Sequence, residues 1–201
     1  MKRTILILFT SVLLISCKDR RQVDPNIFYI NNIDSTKVDH LITQKIQQLN
    51  LETLDKGFDS IQIRVWYDPS LLKKRDLLVL KYANGDWVGL HYYMTVDWDP
   101  FNSTETITDK TFQNVKPKNG WTNFLTKLSL LKIHSLPNMA DIPGLEDSWD
   151  DGNIYTVEIA IGKKYRTYSY HVPQEFKEKY WQAGNMLEIL DLISVELDIP
   201  K

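Results

Sequence analysis

The sequence predicts an α+β fold in one domain: an antiparallel sheet built from hairpins, with about three helices packed mainly on one face. Three observations predict it. Asn84-Gly85 separates two apolar-alternating runs, residues 77–82 and 87–98, and supplies the two residues tolerant of positive φ that a type I′ hairpin turn requires. Gly162-Lys163 divides residues 154–161 from 164–172 as a Gly-X pair suited to a type II′ turn. Three other segments carry apolar residues at helical rather than alternating spacing.

The elements follow in chain order. Asp34 or Ser35 can cap a first helix, in which Val38, Leu41, Ile42, Ile46 and Leu49 keep the 3.6-residue period. Residues 58–67 alternate, so Ile61, Ile63 and Val65 share one face and Gln62, Arg64 and Trp66 the other. On the second strand of the Asn-Gly hairpin, Val88, Leu90, Tyr92, Met94 and Val96 line one face. Asp99-Pro100 ends that run, and residues 105–115 form a more polar strand. Asn119 precedes a second helix with Trp121, Phe124, Leu125, Leu128 and Leu131 on its inner side. Residues 135–153, rich in acids, proline and glycine, form a surface loop. The last helix buries Met186, Ile189, Leu190, Ile193 and Leu197.

Ahead of this domain lies a leader. Met1-Lys2-Arg3 is followed by apolar residues 4–15, then Ser16 and Cys17, the only cysteine of the chain. Twelve residues make a helix of about 18 Å, too short for a hydrocarbon layer of about 30 Å, so the stretch reads as the apolar region of a signal peptide. Leu14-Ile15-Ser16-Cys17 resembles the lipobox of bacterial lipoproteins. That resemblance covers residues 1–17 only. It implies removal of residues 1–16, a diacylglyceryl group and an acyl chain such as palmitate on Cys17, a tether over residues 17–26, and a domain over 27–201. It further implies a lipid-anchored protein of the cell envelope, and Lys18 in place of an aspartate after the cysteine favours the outer membrane. A lipidated Cys17 leaves no thiol for disulfides, nucleophilic catalysis or zinc.

Formal net charge is −2 with no basic stripe, which gives nucleic-acid binding no electrostatic support. The chain has no Gly-rich phosphate loop, no G-x-S-x-G elbow and no H-E-x-x-H helix, and the sequence implies no cofactor. The histidines, His40, His91, His134 and His171, are far apart in sequence; His134 follows the second helix, where its charged form would answer the helix dipole. In the acidic loop, Asp147, Asp151, Gly152 and Glu158 fall at positions 1, 5, 6 and 12 of an EF-hand-like count. Trp149 at position 3 and the strand that follows speak against a calcium site, so no metal is expected and folding should not require calcium.

These observations favour a non-catalytic envelope module that binds protein or glycan, or serves as a structural accessory subunit of a membrane complex. The alternative is a domain that binds or hydrolyses envelope polysaccharide, working through paired carboxylates. If Ile61, Ile63, Val65 and the Val88 to Val96 set face the helices, then Arg64, Trp66, Trp87, His91 and Tyr93 form an open recognition face of rings and hydrogen-bonding groups, unless another helix or residues 105–115 cover it and make Trp66 and Trp87 a second small core.

Overall fold

A computed structural model describes residues 27–30, 39–70, 72–146 and 151–199. Six strands, β1 (Phe58–Pro69), β2 (Lys74–Ala83), β3 (Asp86–Asp99), β4 (Thr104–Val115), β5 (Asn153–Gly162) and β6 (Lys164–His171), form one sheet in the order β4-β3-β2-β1-β5-β6. Every pairing is antiparallel, so the α+β class and the hairpin origin of the sheet hold. Both hairpin turns adopt the expected backbone: Asn84 and Gly85 have φ of 54° and 85°, and Gly162 has φ of 56°.

Three helices cover the sheet: α1 (His40–Gln48), α2 (Gly120–Leu130) and α3 (Trp181–Leu197). Helices α2 and α3 lie on one face. There Phe124, Leu125, Leu128, Met186, Ile189 and Ile193 close over Ile63, Val65, Leu78, Leu80, Val157 and Ile159. Helix α1 lies on the other face, and its Ile42, Ile46 and Leu49 pack on Trp66, Leu77, Val79 and Met94. Each fully buried side chain of this kind contributes roughly 1.5–3 kcal/mol, so both faces of the central strands belong to a core. Among the described residues no helix is long and apolar enough to cross a membrane.

The helix starts differ from their sequence expectation. Asp39 caps α1, its side chain accepting from Leu41 N at 2.7 Å, while Asp34 and Ser35 lie outside the described residues. Asn119 makes no side-chain cap of its own on α2. Instead Glu196 of α3 accepts from Asn119 N at 3.0 Å and from Asn119 Nδ2 at 3.0 Å, which ties the two helices together. Among its described residues the loop before β5 contains a 3-10 turn, Met139–Asp141, and it is not the surface loop expected: Leu136, Met139, Ile142 and Leu145 are buried in the core on the α2/α3 face.

Strand register corrects the predicted faces. Ile61 lies opposite Tyr82, and Tyr82 opposite Trp87, so Trp87, Gly89, His91 and Tyr93 share the α2/α3 face with Ile61, Ile63 and Val65. Val88, Leu90, Tyr92 and Met94 point to the α1 face beside Arg64 and Trp66. Directly opposed residues of antiparallel strands project to the same side, which leaves no freedom once the register is set.

Candidate functional site

The expected recognition face is not formed as an open surface. Trp66 and Arg64 are completely buried under α1 and the segment that follows it, and Trp87 is 7% exposed on the opposite side of the sheet, against Phe28, Tyr82 and Trp121. His91 is also buried, its Nε2 3.0 Å from Asp76 Oδ1 and its ring 4.0 Å from Tyr93. Only Tyr93 is partly exposed, and its hydroxyl accepts from Gln113 Nε2 at 2.9 Å. His134 is buried against Phe28 and Tyr29 rather than displayed at a helix end; burial and then Arg166 lower its pKa, which favours the neutral ring.

The calcium candidates do not converge. Glu158 is in the interior, where its Oε2 accepts from Trp66 Nε1 at 2.7 Å and its Oε1 from the Tyr165 hydroxyl at 2.9 Å. Arg64 Nη1 lies 3.7 Å from the same carboxylate, and Arg64 Nη2 donates to Glu52 O at 2.5 Å. Asp151 is on the surface before β5 begins, separated from Glu158 by an extended strand, and Asp147 is outside the described residues. Gly152 has a packing reason to be glycine: a Cβ there would fall 2.1 Å from Val172 Cγ1. No cluster of three or more His, Cys, Asp or Glu that could hold a metal occurs among the described residues.

A different site forms between α1 and the loop that carries residues 138–145. It is a cleft of about 600 Å³ over the ends of β1, β5 and β6. Four charged side chains make one wall, each from a separate element. Lys45 of α1 reaches Asp68 Oδ1 at 2.6 Å and Glu105 Oε2 at 3.1 Å. Arg75 of β2 reaches the same two carboxylates, Asp68 Oδ1 through Nε at 3.2 Å and Glu105 Oε1 through Nη2 at 2.9 Å. Each cation therefore touches both anions, in a closed ring. Arg75 also donates to Pro69 O at 2.7 Å and to Leu72 O, so it fixes the β1–β2 connection as well as the ring.

Burial acts on both carboxylates and the outcome differs. It holds Asp68 above the ordinary aspartate range, the attraction of Lys45 and Arg75 offsetting only part of the effect. For Glu105, burial pushes upward too, yet Lys45 and then Arg75 outweigh it and keep the group below the usual glutamate range. Beyond the charged wall the lining is mainly apolar, with Leu41, Ile42, Met139 and Leu145, and a hydroxyl pair, Thr156 Oγ1 and Ser169 Oγ, 2.8 Å apart. A largely apolar concavity with a few fixed polar groups is the usual form of a binding site.

One part of this site has a signal in the sequence. Lys45 falls inside the apolar stripe of the first helix, between Ile42 and Ile46, where a charge needs a buried partner. Nothing local in the sequence brings Asp68, Arg75 and Glu105 to it, because those contacts depend on strand order. No protein-family model matches the chain, and no curated protein matches it.

Proposed function

We propose that the chain is a lipid-anchored cell-envelope module, held at the membrane through Cys17, that binds a macromolecule, protein or glycan, in the cleft walled by Lys45, Asp68, Arg75 and Glu105. One observation carries this reading. The first described segment, residues 27–30, enters the core on the α2/α3 face through Phe28 and Ile30, where Phe28 meets Trp87 and Ser129 Oγ donates to Ile27 O at 2.9 Å, whereas the charged wall of the cleft is on the α1 face. An anchor at Cys17, joined by residues 17–26 that span at most about 35 Å, would lead in on one side and leave the cleft to face away.

Binding is favoured over catalysis because the four charges of the wall are committed to one another. A second reading, hydrolysis of envelope polysaccharide, draws on the same wall: Asp68 and Glu105 have pKa values driven in opposite directions, as an acid and base pair requires. Against it, both carboxylates are held by the same two cations, which restrains the proton transfer that such a pair must perform.

Mass spectrometry of protein extracted from membranes tests the anchor. The expected product begins at Cys17 and carries acyl mass on that residue, and Cys17→Ala should retain the leader while the domain over 27–201 still folds. An unlipidated product in the wild type would overturn the reading.

A further inference from the structure

We infer that the outer edge of β4 pairs with β4 of a second copy of this chain, antiparallel and centred on Phe112, so that two sheets continue into one. Strand β4 ends the sheet, and its outer edge is divided into a closed part and an open part. Over the first part α1 substitutes for a neighbouring strand. Gln48 Nε2 donates to Glu105 O at 2.8 Å while Gln48 Oε1 accepts from Ile107 N at 2.7 Å, and Gln44 Oε1 accepts from Glu105 N at 3.4 Å. This side-chain cover stops at Thr108, where the pairing with β3 shifts register.

From Asp109 to Val115 β4 pairs with β3 residue for residue, and every residue from Thr108 to Asn114 is exposed. Two of the usual protections of an edge, a proline and a lysine projecting across it, are missing there. The stretch has no proline, and its one lysine, Lys110, turns back to donate to Gln48 O at 2.7 Å instead of projecting across the edge. Phe112 is 64% exposed with its ring 5.5 Å from that of Tyr92, and Val88 on the same face is 43% exposed. An open, regular edge beside an exposed aromatic strip is a template for strand addition.

The occupant follows from register. Opposed residues in an antiparallel pair share a face, so a two-fold pairing away from the bulge centres on a residue. Centres at Asp109 or Lys110 would set like charges against each other. Phe112 is the midpoint of the regular stretch. Centred there, Phe112 meets Phe112 of the second copy, Lys110 lies opposite Asn114 and Thr111 opposite Gln113, with no like charges opposed. The two-fold axis then stands normal to the sheet, which places the α2/α3 faces of both copies, and both chain leads, on the same side. Two anchors could therefore enter one bilayer, and confinement there would raise the effective concentration that a short strand pairing needs.

Cross-linking of the purified full-length chain, in mild detergent over a range of concentrations, tests the register. Chains carrying Lys110→Cys are mixed with chains carrying Asn114→Cys and treated with a short thiol-to-thiol linker; the wild type, whose only cysteine is Cys17, sets the baseline. The mixed sample should form covalent dimer about tenfold more than either variant alone, because like positions are four residues, about 13 Å, out of step. Adding Phe112→Lys to both chains, a change at an exposed position that leaves folding intact, should remove most of that yield. Equal yields in mixed and single samples, no dimer at any concentration, or indifference to Phe112→Lys would overturn the inference.

Discussion

Glu158→Ala is expected to destabilise the domain by about 3–5 kcal/mol, the range for removing one partner of a buried charge pair. Arg64 is completely buried, and burial lowers its pKa against the opposing charge of Glu158, so the carboxylate is what makes the guanidinium tolerable in the interior. Its loss also leaves Trp66 Nε1 and the Tyr165 hydroxyl without the acceptor that both use. Glu158→Gln should fall between wild type and alanine, since the amide keeps one acceptor oxygen but not the charge. Urea denaturation at neutral pH measures this. A midpoint shift worth less than about 1 kcal/mol would mean that the Glu52 carbonyl suffices for Arg64.

The second large effect is expected at Glu105→Ala, about 3 kcal/mol at neutral pH, because Lys45 and Arg75 would be left to share Asp68 alone. Both cations are nearly buried, with side chains 3% and 9% exposed, so neither can recover hydration in place. The difference between wild type and variant should depend on pH. Lys45 and Arg75 hold Glu105 below the ordinary glutamate range despite its burial, so its folded-state pKa lies below its unfolded one. Its contribution is complete above the unfolded value and is lost as pH falls through the folded value. Asp68, raised first by burial, has the opposite pH dependence; burial acts on it in both proteins, and only the smaller upward push from Glu105 is lost in the variant, which offsets part of the convergence without reversing it. Melts of the two proteins should therefore converge on acidification from about pH 7 to about pH 3, and a gap that widened would contradict the ring as described.

Much of the fold was legible. Asn84-Gly85 and Gly162-Lys163 specify their turns through φ, and the apolar stripes of α2 and α3 bury the residues their spacing selects. The faces were harder, for a particular reason. The two-residue turn sets Tyr82 opposite Trp87, but the connection between β1 and β2 carries no turn signature, and its register decides whether Ile63 sides with His91 or with Leu90. Alternation gives no help in β1, where Arg64, Trp66, Ile63 and Val65 are all buried because helices cover both faces of the sheet. The same cover turns Trp66 and Trp87 from a recognition surface into two separate cores. Of the cleft, Lys45 was visible as a charge inside an apolar stripe; Asp68, Arg75 and Glu105 gain their meaning only when β1, β2 and β4 are placed around α1.

The central proposal is that this chain meets a partner at the cleft, on the side away from the proposed anchor at Cys17. Photo-cross-linking in the living source cell tests it most directly, with a photoreactive residue in place of Ala140, exposed on the cleft wall, or in place of Lys163, exposed on the β5–β6 turn. A covalent adduct of higher mass is expected from position 140 and not from position 163. Adducts in equal yield from both positions, or from position 163 alone, would contradict the claim.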